Sequence, residues 1–283
     1  MAEADHLSKH ADDQQVAEHP PPPIDEDVAV DDGPTVIQAH VQLAKTSRMS
    51  FFVVFPRSNH ILEGRRRAQT VPALSEELDI PHLSDLLARF LFQQLHPNDP
   101  RDPSDIPITT CPRYDGRISV FNSAASRFYA PSDLSGTGGM RIEYIRACSS
   151  WRHEHARYDC VFVNTDCSLP GMQGLEVARV RALFSFTFRG VGYPCAVIRW
   201  FDKVGDTADE DTGMWVVRPG YTTNNTPAYC VIHIDSIYRA AHLIPMYGTR
   251  SIPQELSFYH SYDAFRAYYV NKYADHHAFE IAY

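Results

Sequence analysis

Four side chains near the end of the chain are of the types that hold metals or move protons. Asp275, His276, His277 and Glu280 lie within YYVNKYADHHAFEIAY, residues 268–283. Adjacent side chains point in different directions on a helix or a strand, so His276 and His277 are poorly placed to share one ion. Paired ligands ordinarily sit two apart on a strand or three to four apart on a helix. On a helix, His276 and Glu280 stand four apart and meet that spacing, as Asp275 with Glu280 would roughly; either pair gives two ligands, with a third required from elsewhere. One reading is therefore a metal-dependent enzyme fragment using Asp275, His276 and Glu280. The simpler reading is a terminal structure whose histidines hydrogen-bond against the body of the protein.

Other stretches offer less. GDTADEDTGMW places Asp206, Asp209, Glu210 and Asp211 in one acidic loop, but without the spacing or closing glutamate of an EF-hand. SGTGGM, residues 135–140, is glycine-rich, yet it lacks the lysine of a phosphate-binding loop and reads as a turn. Of the six cysteines, Cys111, Cys148, Cys160, Cys167, Cys195 and Cys230, none forms a C-x-x-C pair. They read as reduced thiols rather than a disulfide frame or a zinc site. No nucleophile has a recognisable local context, so no catalytic residue and no cofactor is expected. The aromatic supply is more suggestive. Phe186, Phe188, Tyr193, Trp200, Trp215 and Tyr221 lie on or beside β-like runs, where converging rings can form a surface for a methylated lysine or another cation.

The elements that would carry these residues follow from periodicity. PALSEEL (72–78) and PHLSDLLARFLFQQL (81–95) read as helices. In the second, Leu83, Leu86, Leu87, Phe90 and Leu91 recur on one face, and Pro97 ends the run. HPNDPRDPSDIP (96–107) is a proline-rich linker. From residue 111 the pattern turns to β: GRISVF, YDCVFVNT, LEVARVRALFSFTF, YPCAVIRWF, GMWVVRP and YCVIHI are β-branched and aromatic, with turn residues between most of them. The third and fourth runs, joined by RGVGYP, make a hairpin. SFFVVF reads as a short strand, EGRRR as a solvated basic turn and SYDAFRAYYV (261–270) as one helix. The expected fold is α+β: a small N-terminal helical region, then a mainly antiparallel, partly open β-barrel. The expected division is a disordered acidic tail at 1–35, a helical extension and linker at 36–107, and a β-rich domain at 108–283.

Charge narrows the partner. The formal net charge is −9, and residues 1–35 carry all of it, with ten acids against the single base Lys9; the other 25 acids and 25 bases cancel. Duplex binding draws its affinity from cations on phosphates, so direct DNA binding is disfavoured, although neutrality leaves room for a local basic stripe. No apolar run is long enough to span a bilayer, and the acidic start is no signal peptide. A nuclear or cytoplasmic protein, neither secreted nor membrane-bound, is expected.

Several long stretches resemble a known family. GRISVFNSAASRFYAPSDLSGTGGM, WRHEHARYDCVFVNTD, LPGMQGLEVARVRALFSFTFRGVGYPCAVIRWF, VIHIDSIYRAAHLIPMYG and AFRAYYVNKYADHHAFE are similar to the C-terminal region of proteins encoded by basidiomycete Plavaka-type, CACTA-like DNA transposons. The resemblance covers roughly residues 38–283. The acidic triad of that family's transposase core has no counterpart here, so no catalytic residue is carried over. Residues 47–67 depart from the family pattern, as a misplaced splice junction or a degenerate copy would. A shorter resemblance is to the bromo-adjacent homology (BAH) domain. Asp159–Val163, Ala178–Val180, Val197–Phe201 and Ile234–Leu243 follow the order of its strands. These resemblances imply a transposon-derived, non-catalytic module that binds a protein partner, chromatin or a transposase. The alternatives are the metal-dependent fragment above and a non-functional remnant.

Overall fold

The computed structural model describes residues 39–43, 67–133, 138–152, 154–249, 251–252 and 254–283. The expected acidic tail, the SFFVVF strand, most of EGRRR and of the divergent stretch at 47–67, and part of SGTGGM lie outside these residues.

Two helices come first. α1 (Val71–Leu78) begins where the Thr70 hydroxyl accepts from the Ala73 N–H at 3.4 Å, with a proline in the first turn. It ends at Asp79, which takes a left-handed conformation at φ 55°. α2 (Leu83–Leu95) stops at His96, ahead of Pro97. Leu74 and Leu78 of α1 and Leu83, Leu87, Phe90 and Leu91 of α2 face one shared core. Each such burial contributes about 1.5–3 kcal/mol.

Thirteen strands occur among the described residues, and every pairing is antiparallel. One sheet holds β1 (Ala39–Leu43), β3 (Ser123–Tyr129), β4 (Met140–Trp151) and β5 (His155–Tyr158), in the order β1-β3-β4-β5. The larger sheet holds β6 (Cys160–Asn164), β7 (Leu175–Phe188), β8 (Val191–Lys203), β9 (Val216–Pro219), β11 (Ile237–Ala241), β12 (Leu243–Pro245) and β13 (Tyr268–Val270). Its order is β11-β6-β7-β8-β9-β13-β12. β12 follows β11 after one residue, so the two ends of the path meet and the sheet curls into a nearly closed barrel. β2 (Ile118–Phe121) and β10 (Tyr229–His233) are added on β7 and β8. Two short helices, α3 (Ser261–Ala264) and α4 (His276–Ile281), complete an α+β fold with a partly open barrel.

The β7–β8 hairpin is the spine. Its turn is two residues, Arg189 at φ 50° and Gly190 at φ 80°, the doubly left-handed turn whose twist matches the flanking strands. Near the turn, Phe184, Phe186, Tyr193 and Cys195 pack on α1 and α2. Further along, Leu175, Val177 and Phe201 line the barrel with Phe162, Trp215 and Tyr268. Register runs Val180 to Ile198 and then Ala182 to Val197, so Arg181 is one extra residue on β7. That bulge keeps both apolar groups on one face of the hairpin. On the other face Ala178, Val180, Ala196 and Ile198 meet Val41, Ala124, Ile145 and Ala147 of the four-stranded sheet. Burial on both faces explains why β6, β7 and β8 read as nearly continuous apolar runs.

Two expectations need correction. SYDAFRAYYV is α3 followed by β13, because Tyr268 and Val270 alternate into the core while Tyr269 is half-buried. The helical extension is not set apart from the β-rich region: β1 pairs with β3 over five residues, and the helices share a core with β7 and β8. Residues 36–283 form one compact unit, and the proline-rich stretch at 96–107 is a connection within it. No helix among the described residues is long and apolar enough to cross a membrane.

Candidate functional site

The terminal motif folds into a polar lock. Asp275 is the N-cap of α4; its Oδ1 accepts from the Ala278 N–H at 2.7 Å. Arg239 on β11 meets the same carboxylate with both arms, Nη1 to Oδ1 at 2.9 Å and Nη2 to Oδ2 at 2.6 Å. Nη2 also donates to Glu143 of β4 at 3.2 Å, and the other oxygen of Glu143 accepts from the Ala240 N–H. One arginine thus ties the C-terminal helix, β11 and β4 together.

His277 sits beneath this fork. It is 5% exposed and stacks on Phe128 with centroids 4.7 Å apart. Arg239 Nη1 lies 3.1 Å from Nδ1, and the Tyr238 hydroxyl 2.9 Å from Nε2. Arginine can only donate, so Nδ1 accepts, and the neutral ring carries its proton on Nε2, toward Tyr238. Burial, then the Arg239 charge, lower the His277 pKa to about 4. The hydrogen bonds from Arg239 pull Asp275 down to about 2, against partial burial. Burial pushes Glu143 up, with Arg239 opposing. The acids and His277 are committed to Arg239, and beyond it to the Ala240 and Ala278 N–H groups and the Tyr238 hydroxyl.

His276 and Glu280 are exposed, on the outside of α4. The trio Asp275, His276 and Glu280 therefore does not converge, since Asp275 turns inward to Arg239. Among the described residues no three His, Cys, Asp or Glu side chains gather to hold a metal. In the acidic loop, Asp209 accepts from the Thr212 N–H at 2.9 Å and from its hydroxyl at 2.7 Å, while Asp206, Glu210 and Asp211 are exposed.

A cleft of about 450 Å³ opens beside the lock, with Glu143, Tyr144, Arg157, Asp159, Arg239 and Tyr262 in its walls. Its charges are largely paired internally, with Arg157 to Asp159 at 2.8 Å beside the Arg239 fork. Cys160 also lines it, but burial pushes that thiol up to about 12, which leaves little thiolate near neutrality.

The six aromatics do not form one surface. Phe186, Tyr193 and the half-buried Phe188 belong to the core under α1 and α2; Phe186 and Tyr193 stack at 5.3 Å. Trp215 is buried inside the barrel. Trp200 is half-buried against the core between the sheets. Tyr221 is exposed, with the guanidinium of Arg199 5.1 Å from its ring centroid. The bulged, twisted hairpin sends its rings to different cores, which strand-like sequence could not reveal.

The surface that does stand out was missed. In β4, Met140, Ile142 and Tyr144 alternate with Arg141 and Glu143. Alternation normally buries the apolar set. Here Arg141 and Glu143 turn inward, to Asp133 at 3.1 Å and to Arg239. Met140, Ile142 and Tyr144 face out, 44%, 55% and 54% exposed. On β3, Tyr129 lies opposite Met140 and is 46% exposed. The inward pull of Arg239 and Asp133 sets this inversion. The clue in sequence was the regular alternation of MRIEYIRA, though not its direction. No protein-family model, curated protein or solved structure matches the chain.

Proposed function

We propose that this chain is a non-catalytic protein-interaction module whose docking surface is the outward face of β3 and β4. The observation that carries it is the inverted strand. β4 holds a half-buried polar row in ion pairs, Arg141 with Asp133 and Glu143 with Arg239, and presents an apolar row outward, although residues on one face of a strand are normally sorted the other way. An exposed apolar row of this kind marks an interaction site. The polar lock supports the same reading, because its groups join three elements rather than aim at an open reaction centre.

The transposon and BAH resemblances supply the partner class, chromatin or a transposase. The test is a nucleosome pull-down with the full chain, at low and at physiological salt, with naked DNA as competitor. Capture that persists at physiological salt, resists the DNA and is lost in Ile142→Asp supports a chromatin partner. Capture that salt and DNA abolish removes chromatin and leaves the transposase, tested by co-purification of the two proteins with and without Ile142→Asp.

A further inference from the structure

Three guanidinium groups converge on one indole at the end of the same face. Arg146, Arg157 and Arg152 lie 4.7, 5.1 and 5.6 Å from the Trp151 ring. Arg157 is neutralised by Asp159. Among the described residues no carboxylate pairs with Arg146 or Arg152. A cation over an aromatic face is attracted by the ring, but cations sharing one ring repel each other, and an anion between them relieves that repulsion. Arg127, exposed on β3 and opposite Ile142, adds a further cation beside the apolar row.

We infer that the segment docking on this face is an extended acidic peptide with apolar side chains at alternate positions. This rests on the interaction reading above and names the partner's chemistry. Along β4 the outward side chains repeat every second residue, roughly 6.5–7 Å apart, and an extended peptide presents its own side chains at the same interval. On one face of the peptide, apolar residues at every second position cover Met140, Ile142 and Tyr144, and carboxylates further along that same face meet Arg146 and Arg152, with Arg127 beside the row. A peptide fits better than a single-stranded nucleic acid. Ile142 at the centre of the row offers no ring for a base to stack on, although Tyr129 and Tyr144 flank it, and the chain beyond residue 35 has no cationic excess to draw a polyphosphate.

Fluorescence anisotropy with the full chain tests this. The probes are a labelled peptide whose one face runs valine, phenylalanine, valine, glutamate and glutamate at every second position with serine between, its glutamine and lysine counterparts, and an oligothymidylate of similar length. The acidic peptide is expected to bind at least about tenfold tighter than the lysine peptide at low salt, with the gap narrowing as salt screens the contacts. The double variant Arg146→Gln/Arg152→Gln is expected to bring acidic and glutamine peptides to within about twofold of each other. A thermal melt checks that this variant is folded; if it is not, the comparison among peptides on the unmodified chain decides alone. Equal binding of all three peptides, loss of which in Ile142→Asp marks the same face, overturns the acidic preference and leaves the docking face standing. Tighter binding of the oligothymidylate, or no binding of any peptide, overturns the inference. The docking face itself fails separately, if Ile142→Asp leaves partner capture intact.

Discussion

Arg239 and Asp275 meet through two hydrogen bonds, 2.9 and 2.6 Å long, with the arginine side chain 6% exposed. The same guanidinium lies 4.5 Å from the ring centroid of Phe128. It is the only group that touches Glu143, Asp275 and His277 together among the described contacts. Removing it leaves two carboxylates without their cation and one buried ring without its donor. Arg239→Ala is expected to cost about 3–5 kcal/mol, the range for breaking a buried ion pair from one side. Asp275→Asn keeps one oxygen, which can still accept from the Ala278 N–H and from Nη1, but turns an NH2 toward Nη2, so its cost is smaller, about 1–3 kcal/mol. Urea unfolding of both variants measures the order, and a larger loss in Asp275→Asn would contradict the central place given to Arg239.

Acid should weaken the fold in two stages. The folded-state pKa of His277 is lowered from 6.5 to about 4, so the unfolded chain binds a proton there more readily. Its contribution is complete above about pH 6.5 and is lost as pH falls toward 4. The loss has an upper bound of about 3 kcal/mol. Asp275, lowered from 3.8 to about 2, adds a second loss between those values. The groups around His277 are Arg239, Asp275, Tyr238 and, at longer range, Glu280, and replacing the imidazole alone isolates its contribution from theirs. Glu143, pushed up by burial, works in the opposite sense, because a raised carboxyl favours folding at the acid end. Thermal midpoints from pH 7 to 2 in the parent and in His277→Gln separate the stages. The variant should lose the slope above pH 4.

The helices and the long hairpin were legible because their signals are local. Leu83, Leu87 and Leu91 recur at helical spacing and all three are buried, and the run 175–188 is β7 from end to end. β4 was illegible for the opposite reason. Its polar residues are drawn inward by Asp133 and by Arg239, about a hundred positions further along the chain for Glu143, and nothing within MRIEYIRACSSW announces that. The terminal motif was half legible. Its spacing placed His276 and His277 on different sides, as α4 does, but the partner that decides the role of Asp275 lies on β11.

Gly174 should resist even alanine. A Cβ there would lie 2.3 Å from the Asp166 carbonyl and 2.4 Å from that of Leu169, both backbone atoms that cannot step aside. Its own carbonyl accepts from Thr165 and Asp166 N–H groups at 3.1 and 3.2 Å, so the turn feeding β7 cannot open without losing them. Gly192, with nothing within 4 Å of the same position, is the control. Gly174→Ala is expected to lower stability by about 2 kcal/mol or more, and Gly192→Ala to change it by no more than about 0.5 kcal/mol. Equal midpoints in urea for the two variants would show that the turn relaxes.

The inverted strand makes its own prediction, independent of any partner. Ile142 and Ile145 lie three residues apart on β4, at 55% and 0% exposure. Ile145 packs with Ala124, Val161 and Ile198 between the two sheets, so Ile145→Glu buries an unpaired carboxyl and should unfold the domain or cost at least about 4 kcal/mol. Ile142→Glu should change stability by no more than about 0.5 kcal/mol, because its side chain already faces water. Far-UV circular dichroism and urea midpoints of the two variants decide the matter. If Ile142→Glu unfolded the chain while Ile145→Glu did not, β4 would have the ordinary orientation, with its apolar row inside. The docking face built on Met140, Ile142 and Tyr144 would then disappear with it.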